Sequence, residues 1–234
     1  MKVTLTECTE NPVLSVERAA SNCYDSEPSD DGKIMNHCYS SGHQSVLEFA
    51  DFTFHIEGPS RALLAQLTRH RVASYAVRSQ RYCDEDGFEY VTPKTITDNL
   101  AAKVKFSNAM LYLQDVYTSL QDMGIPNEDA RFVLPNACAT VIEVKMNGRE
   151  LVHFMNERLC TRAQWEIRDL AKAMKKCVEN YNDKCKQFAK FFVPKCYKHA
   201  KYPMCEEKKC CGLAPRIKDV YDAYLSLKDG ESNG

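Results

Sequence analysis

The sequence predicts an α+β or mixed α/β protein. Two segments alternate apolar and polar residues with the period of a strand, and several longer stretches carry the period of a helix. The two kinds do not succeed one another regularly, which disfavours a doubly wound parallel sheet.

Taken in order, Val13 to about Asn22 reads as a short helix opened by Pro12, followed by a polar loop over 21–32. Residues 51–57 alternate, with Phe52, Phe54 and Ile56 on one face and Asp51, Thr53, His55 and Glu57 on the other. That is a half-buried strand, and Gly58-Pro59 is expected to end it. Ser60 caps a helix to about Thr68, with Leu63, Leu64 and Leu67 on one face. Asn99 to Met123 is a long amphipathic helix stopped by Gly124 and Pro126. Asn127 caps a short helix ending near Pro135. Val141–Met146 forms a second strand, with Ile142, Val144 and Met146 inward. Val141, an apolar residue, then shares the outward face with Glu143 and Lys145. Two long helices follow, Gly148 to about Cys160 and Ala163 to about Lys190, broken near Thr161.

The 234 residues can bury a substantial core. Hydrophobic residues at 44% and charged residues at 27% are ordinary for a soluble globular protein, and nine Gly with nine Pro exclude a collagen-like chain. No apolar run reaches the roughly 18 residues of a membrane span, and the first residues lack the apolar core of a signal peptide. The expected setting is cytoplasmic and reducing, with the twelve cysteines mostly free thiols. One main domain over 1–195 is expected, with a Cys- and Lys-rich extension over 196–234 whose last residues, 229–234, are expected to be disordered.

The net charge of −1 conceals an asymmetry. Residues 1–57 hold ten acids against three bases, residues 172–209 eleven Lys against four acids, and residues 61–81 five Arg with no Lys and no acid. Arg is the side chain suited to forked recognition of phosphate and carboxylate. A generic electrostatic patch normally mixes Lys with Arg, so the absence of Lys weighs against one; the composition suggests an anionic ligand without saying which, and a solvated basic loop or a nucleic-acid patch is the plainer alternative. Within 61–81, Arg69 and Arg71 flank His70 and can grip two different anionic groups. Ser79 and Arg81 share one face if that stretch is extended.

These residues resemble the flavin-dependent thymidylate synthases. Arg69-His70-Arg71, then seven residues, then Ser79, is that family's signature. The resemblance extends to Gly42-His43-Gln44-Ser45 with Glu48, to Ser60-Arg61-Ala62 leading to Gln66, and to Ala130-Arg131 with Leu134-Pro135-Asn136-Ala137. It continues through Asn147, Arg149-Glu150-Leu151, Arg158 and Arg162-Ala163-Gln164-Trp165-Glu166-Ile167-Arg168. The match runs from about residue 35 to 195 in the family's order and spacing.

The resemblance implies a mostly antiparallel sheet flanked by helices, with long helices in the C-terminal half. It implies reductive methylation of dUMP to dTMP, with methylenetetrahydrofolate as carbon donor and FAD, reduced by NADPH, supplying the hydride. It also implies a homotetramer with active sites shared between subunits, and partners that are small molecules, neither membrane nor nucleic acid. Gln66, Arg69, Ser79, Gln80, Arg81 and Arg168 would contact dUMP. His43, Ser45, Glu48, Arg69, His70, Arg71, Asn156, Arg158 and Arg162 would line or lie near FAD. Arg168 would act catalytically, stabilising negative charge as the uracil N3 region ionises. Among residues with plainer readings, Ser45 can serve as a helix cap and Trp165 as core.

Two positions depart from the family's pattern. Val77 stands where Gln or Glu is usual, and Val141, after Thr140, where Arg or Lys is usual. Arg78 and Lys145 are nearby in sequence and could compensate. Two alternatives stay open at this point: a flavin-dependent paralogue acting on another pyrimidine nucleotide, and a non-enzymatic nucleic-acid-binding protein using the Arg cluster. In the tail, Cys196, Cys205, Cys210 and Cys211 could form a tetrahedral zinc site. Their spacing lacks paired CxxC knuckles, so the reading adopted is free thiols and no metal.

Overall fold

The computed structural model describes residues 1–23, 25–198 and 202–231. In chain order its elements are β1 (Lys2–Cys8), α1 (Pro12–Asn22), α2 (Lys33–Ser40), a 3-10 turn (Gln44–Phe49), β2 (Asp51–Ser60), α3 (Arg61–Leu67) and β3 (Ala73–Val77). These are followed by α4 (Lys94–Thr97), α5 (Leu100–Asp122), α6 (Asn127–Ala130), β4 (Ala139–Asn147), α7 (Gly148–Arg158), α8 (Trp165–Glu179), α9 (Asp183–Phe188) and α10 (Ile217–Glu231). The mixed α/β class expected from the sequence is the observed one. The chain divides into two compact units, Met1–Glu7 with Thr53–Met146, and Cys8–Phe52 with Asn147–Gly234.

The first unit is built on a four-stranded sheet of order β1-β2-β4-β3. Neighbouring strands run antiparallel. On β1 and β2, Lys2 pairs with Glu57 at 2.9 Å, while Thr6 Oγ1 donates to Thr53 O at 3.2 Å. On β2 and β4, His55 meets Glu143. On β3 and β4, Ala73 faces Met146, Tyr75 faces Val144 and Val77 faces Ile142. Phe54, Ile56, Ile142 and Val144 are fully buried, and the polar residues between them are not, as period-two alternation requires. Phe88, Met110 and Cys138 form a further apolar cluster with Tyr90, Phe106 and Leu113.

Strand β2 does not stop at Gly58-Pro59 but runs on to Ser60. Gly58 takes φ +77°, a conformation open to glycine that lets a strand kink without leaving its sheet. Ser60 then caps α3, its hydroxyl accepting from Leu63 N at 3.0 Å. Asn99 caps α5 likewise, accepting from Ala102 N at 3.0 Å. Asn127 opens α6 as its first helical residue and not as its cap, and the helix is four residues long before a 3-10 turn over Arg131–Val133.

The second unit gathers α1, α2, α7, α8 and α9 around Val13, Val16, Met35, Phe154, Leu170, Met174 and Phe188. The expected helix from Ala163 to Lys190 is two helices. Gln164 Oε1 caps α8 by accepting from Glu166 N and Ile167 N, and Asn182 Oδ1 starts α9 by accepting from Cys185 N at 2.7 Å. A side-chain cap inside a helical pattern competes with continuation of the helix. Helix α10 includes Asp229–Glu231; the rest of the tail expected to be disordered, 232–234, lies outside the described residues.

Candidate functional site

In the first unit, the Arg-rich segment leaves α3 through a tight turn. Arg69 N donates to Gln66 O at 3.3 Å and His70 N to Leu67 O at 3.1 Å. The Tyr75 hydroxyl lies 2.8 Å from Leu67 O and 2.9 Å from His70 O, fastening the turn to β3. His70 is buried at 5% exposure, whereas Arg69 and Arg71 on either side are exposed. The triplet therefore presents two guanidinium forks to solvent about a buried imidazole.

The Ser79 group lies beyond the other end of β3, and it is a turn, not an extended stretch. Cys83 N donates to Ser79 O at 2.9 Å and Arg81 N to Ser79 Oγ at 3.3 Å. Gln80 Nε2 lies 3.6 Å from Cys138 Sγ. Arg81 donates from Nε and Nη2 to Glu128 Oε2, at 3.0 and 2.8 Å, and its guanidinium lies 5.3 Å from the centroid of the Tyr82 ring. The five residues of β3 span about 17 Å at the usual rise per residue. The triplet and the Ser79–Arg81 turn thus stand at opposite ends of one strand, too far apart for one small anion to bridge.

The two departures from the family's pattern are neighbours here. Val77 pairs with Ile142, and Arg78 N donates to Val141 O at 2.9 Å. Opposed residues of an antiparallel pair share a face, so Val77 joins the face of Ile142 while Val141 joins the other with Glu143. Arg78 is engaged internally: Nε donates to Glu85 Oε1 at 3.1 Å and Nη2 to Asp84 O at 3.0 Å. Arg78, Glu85, Thr140 and Val141 line a cavity of about 340 Å³. Burial, with the Glu85 charge adding to it, pushes the Cys138 thiol up to about 11. Burial also lowers the Arg61 pKa at the start of α3.

In the second unit, His43, Ser45 and Glu48 lie on or beside the 3-10 turn, all exposed. Ser45 does not cap the turn; the residue at that position is His43, without a side-chain bond. Glu48 Oε1 accepts from Arg149 Nη1 at 2.7 Å at the start of α7. Asn156 Nδ2 donates to Val152 O at 2.9 Å and Val193 O at 3.2 Å. It lines a cavity of about 370 Å³ with Tyr39, Gly42, Gln44, His153 and Lys195. Arg158 is partly buried at the end of α7, and Arg162 is exposed with Nε 3.9 Å from Glu207. Arg168 Nη1 donates to Thr161 O at 2.9 Å, which fixes the plane of its guanidinium. Trp165, expected in the core, is 36% exposed at the first turn of α8.

Seven of the expected site residues therefore fall in the first unit (Gln66, Arg69, His70, Arg71, Ser79, Gln80 and Arg81) and seven in the second. The sequence assigns no partner role to Tyr75, Glu128 or Arg149. Glu128 and Arg149 lie 47 and 101 residues from Arg81 and Glu48, and Tyr75 shows only as one aromatic residue within the Arg-rich segment.

Each unit by itself carries donors that suit an anionic group. In the first, exposed Arg69 and Arg71 supply forked cations; in the second, Arg158 and Arg162 supply two more, and the Asn156 amide borders the cavity beside Gly42.

A family model described as thymidylate synthase complementing protein matches residues 4–182. A flavin-dependent thymidylate synthase of Geobacter sulfurreducens is 47% identical over 191 residues, 76% of this chain and 82% of the relative. One of Clostridium tetani is 37% identical across 94% of this chain and 97% of its own length. The crystal structure of the flavin-dependent thymidylate synthase ThyX of Helicobacter pylori, complexed with FAD and dUMP, matches with a TM-score of 0.62. It is 30% identical, and the match covers 76% of this chain and 93% of that one.

Proposed function

The chain belongs to the family of flavin-dependent thymidylate synthases, and on that premise we propose that it reductively methylates dUMP to dTMP. Methylenetetrahydrofolate is the carbon donor in this reading. FAD, reduced by NADPH, supplies the hydride, so no cysteine nucleophile is needed.

The chain's own residues bind and orient. Gln66, Arg69, Ser79, Gln80 and Arg81 hold dUMP, with the Arg81 fork and the Ser79 turn as donors to its phosphate. His43, Ser45, Glu48, Arg69, His70, Arg71, Asn156, Arg158 and Arg162 hold or border FAD. Arg168 faces the pyrimidine, and its permanent charge stabilises the anion developing near N3. The Thr161 carbonyl takes one of its five donors and leaves the others for substrate.

The observation that carries this reading is the strand that separates the triplet from the Ser79–Arg81 turn. It supports a homotetramer in which one site takes its triplet from one copy and its Ser79–Arg81 turn from another. Helix α5 is consistent with such assembly: Leu100, Val104 and Leu111, all exposed, fall on one helical face. We assign the activity to residues 1–195, with 196–234 as an extension, and its setting to the cytoplasm. No helix among the described residues is long and apolar enough to cross a membrane.

The test is direct. Purified protein given dUMP, methylenetetrahydrofolate and NADPH should form dTMP and carry a flavin spectrum. A flavin-loaded protein that makes no dTMP overturns the reading.

A further inference from the structure

We propose that Cys160, Cys196, Cys205 and Cys211 form a tetrathiolate zinc site in the second unit. The inference is independent of the flavin chemistry. It differs from the set suggested by the tail alone, because Cys160 comes from the loop after α7 and replaces Cys210.

Four cysteines from separate turns of chain line one small pocket. Soft sulfur ligands in a set of four suit zinc, whose structural sites are tetrahedral. Cationic side chains surround them: Arg162, Lys195 and Lys209 line the same pocket. Zinc with four thiolates carries two net negative charges, which cations in the lining offset. The acids of the same lining are themselves paired. Glu207 is paired with Lys195 at 2.7 Å and lies 3.9 Å from Arg162, while Glu206 lies 3.9 Å from Lys198.

Gly212 N donates to Cys210 Sγ at 3.3 Å, with Gly212 at φ +84°. Cys210 directs its own thiol to Ala214 O at 3.1 Å and does not line the pocket, which leaves Cys160, Cys196, Cys205 and Cys211 around it.

The segment also needs a staple. Between residues 202 and 226, Cys205 and Ala214 are the buried apolar residues among those described. What ties the loop down is a short bridge between Cys205 and Arg216, with Met204 N donating to Cys196 O. A stretch with so little core gains stability from a metal cross-link. As the sulfurs stand, no three lie within 4.8 Å of one another, so coordination draws them together by side-chain rotation. Each of the four thiols releases its proton to solvent as the Zn–S bond forms.

The experiment uses the full chain, purified with reductant and without chelator, and elemental analysis of its metal content. About one zinc per chain is expected. The zinc should be lost in Cys160→Ser and Cys205→Ser, and retained in Cys210→Ser and Cys83→Ser. Cobalt(II) added to the unaltered chain should give thiolate-to-cobalt charge-transfer absorption, which keeps the test open if a variant fails to fold. Zinc-free protein with no cobalt–thiolate absorption overturns the proposal. So does zinc that survives Cys160→Ser but not Cys210→Ser, iron with sulfide in place of zinc, or disulfides among these cysteines found by alkylation mapping under reductant.

Discussion

Arg81 places two of its donors on one oxygen of Glu128, at 3.0 and 2.8 Å. Both side chains are about half exposed, so the pair itself is worth about 0–1 kcal/mol. A bound phosphate would offer the same fork a stronger partner. Arg81→Ala is therefore expected to raise KM for dUMP about 10- to 100-fold, the effect of losing a charge-assisted bond of about 1.5–3 kcal/mol. Glu128→Gln should change it less than about fivefold. Steady-state kinetics of the two variants check the contrast, and equal effects would mean that Glu128 and not phosphate is the main partner of Arg81.

Gly148 begins α7, the helix that carries Asn156 and Arg158. A Cβ at this position would lie 2.6 Å from both Leu47 O and Phe188 Cζ. The ring can shift, but the carbonyl belongs to backbone in the same packed unit. Gly148→Ala should lower stability by about 1–3 kcal/mol and reduce bound flavin in parallel. Thermal melting and the flavin-to-protein absorbance ratio report the two effects. Wild-type values for both would show that the backbone yields.

His55 sits between Glu143 at 2.8 Å and Glu57 at 3.5 Å on the open face of the sheet. The Glu143 hydrogen bond, with the charges of both acids, raises its pKa above the ordinary 6.5. The folded state then holds the proton more tightly than the unfolded chain. That contribution is complete below the unfolded pKa and disappears as pH rises through the folded one. The melting-temperature advantage of wild type over His55→Gln should be larger at about pH 5.5 than at about pH 8.5. An advantage independent of pH would contradict the pairing.

Cys138 is fully buried, and its pKa is pushed up to about 11 by burial and the Glu85 charge. It remains a thiol at neutral pH and should resist alkylation of the native protein, while exposed Cys23 is modified. Peptide mass spectrometry after brief native alkylation distinguishes them. Labelling of Cys138 as rapid as that of Cys23 would mean that its cluster opens readily.

The strongly periodic parts of the fold were legible. Phe54/Ile56 and Ile142/Val144 alternate cleanly, and Ser60 and Asn99 announce their helices. Strands β1 and β3 were not anticipated: β1 offers only Val3 and Leu5 as an apolar face, and β3 is five residues flanked by arginines. The division of one helix at Asn182 was missed because the apolar pattern continues across it, and the cap that ends it is local. The site's chemistry was written in residue identity, but not its geometry. Arg69 and Arg81 are close in sequence, and only the course of β3 reveals that they face different places. Long-range partners such as Glu48–Arg149 leave no local trace.

In the proposed tetramer the triplet and the Ser79–Arg81 turn of one chain serve different active sites. Co-expression of two differently tagged variants, Arg69→Ala and Arg81→Ala, followed by isolation of the mixed assembly, separates this arrangement from a site built within one chain. With dUMP near the wild-type KM, each variant alone should form dTMP at a small fraction of the wild-type rate. Mixed assemblies should recover a substantial fraction of wild-type activity, because some sites then combine an intact Arg69 from one copy with an intact Arg81 from the other. Mixed assemblies as inactive as either parent would contradict the claim and place both groups in a single chain's site.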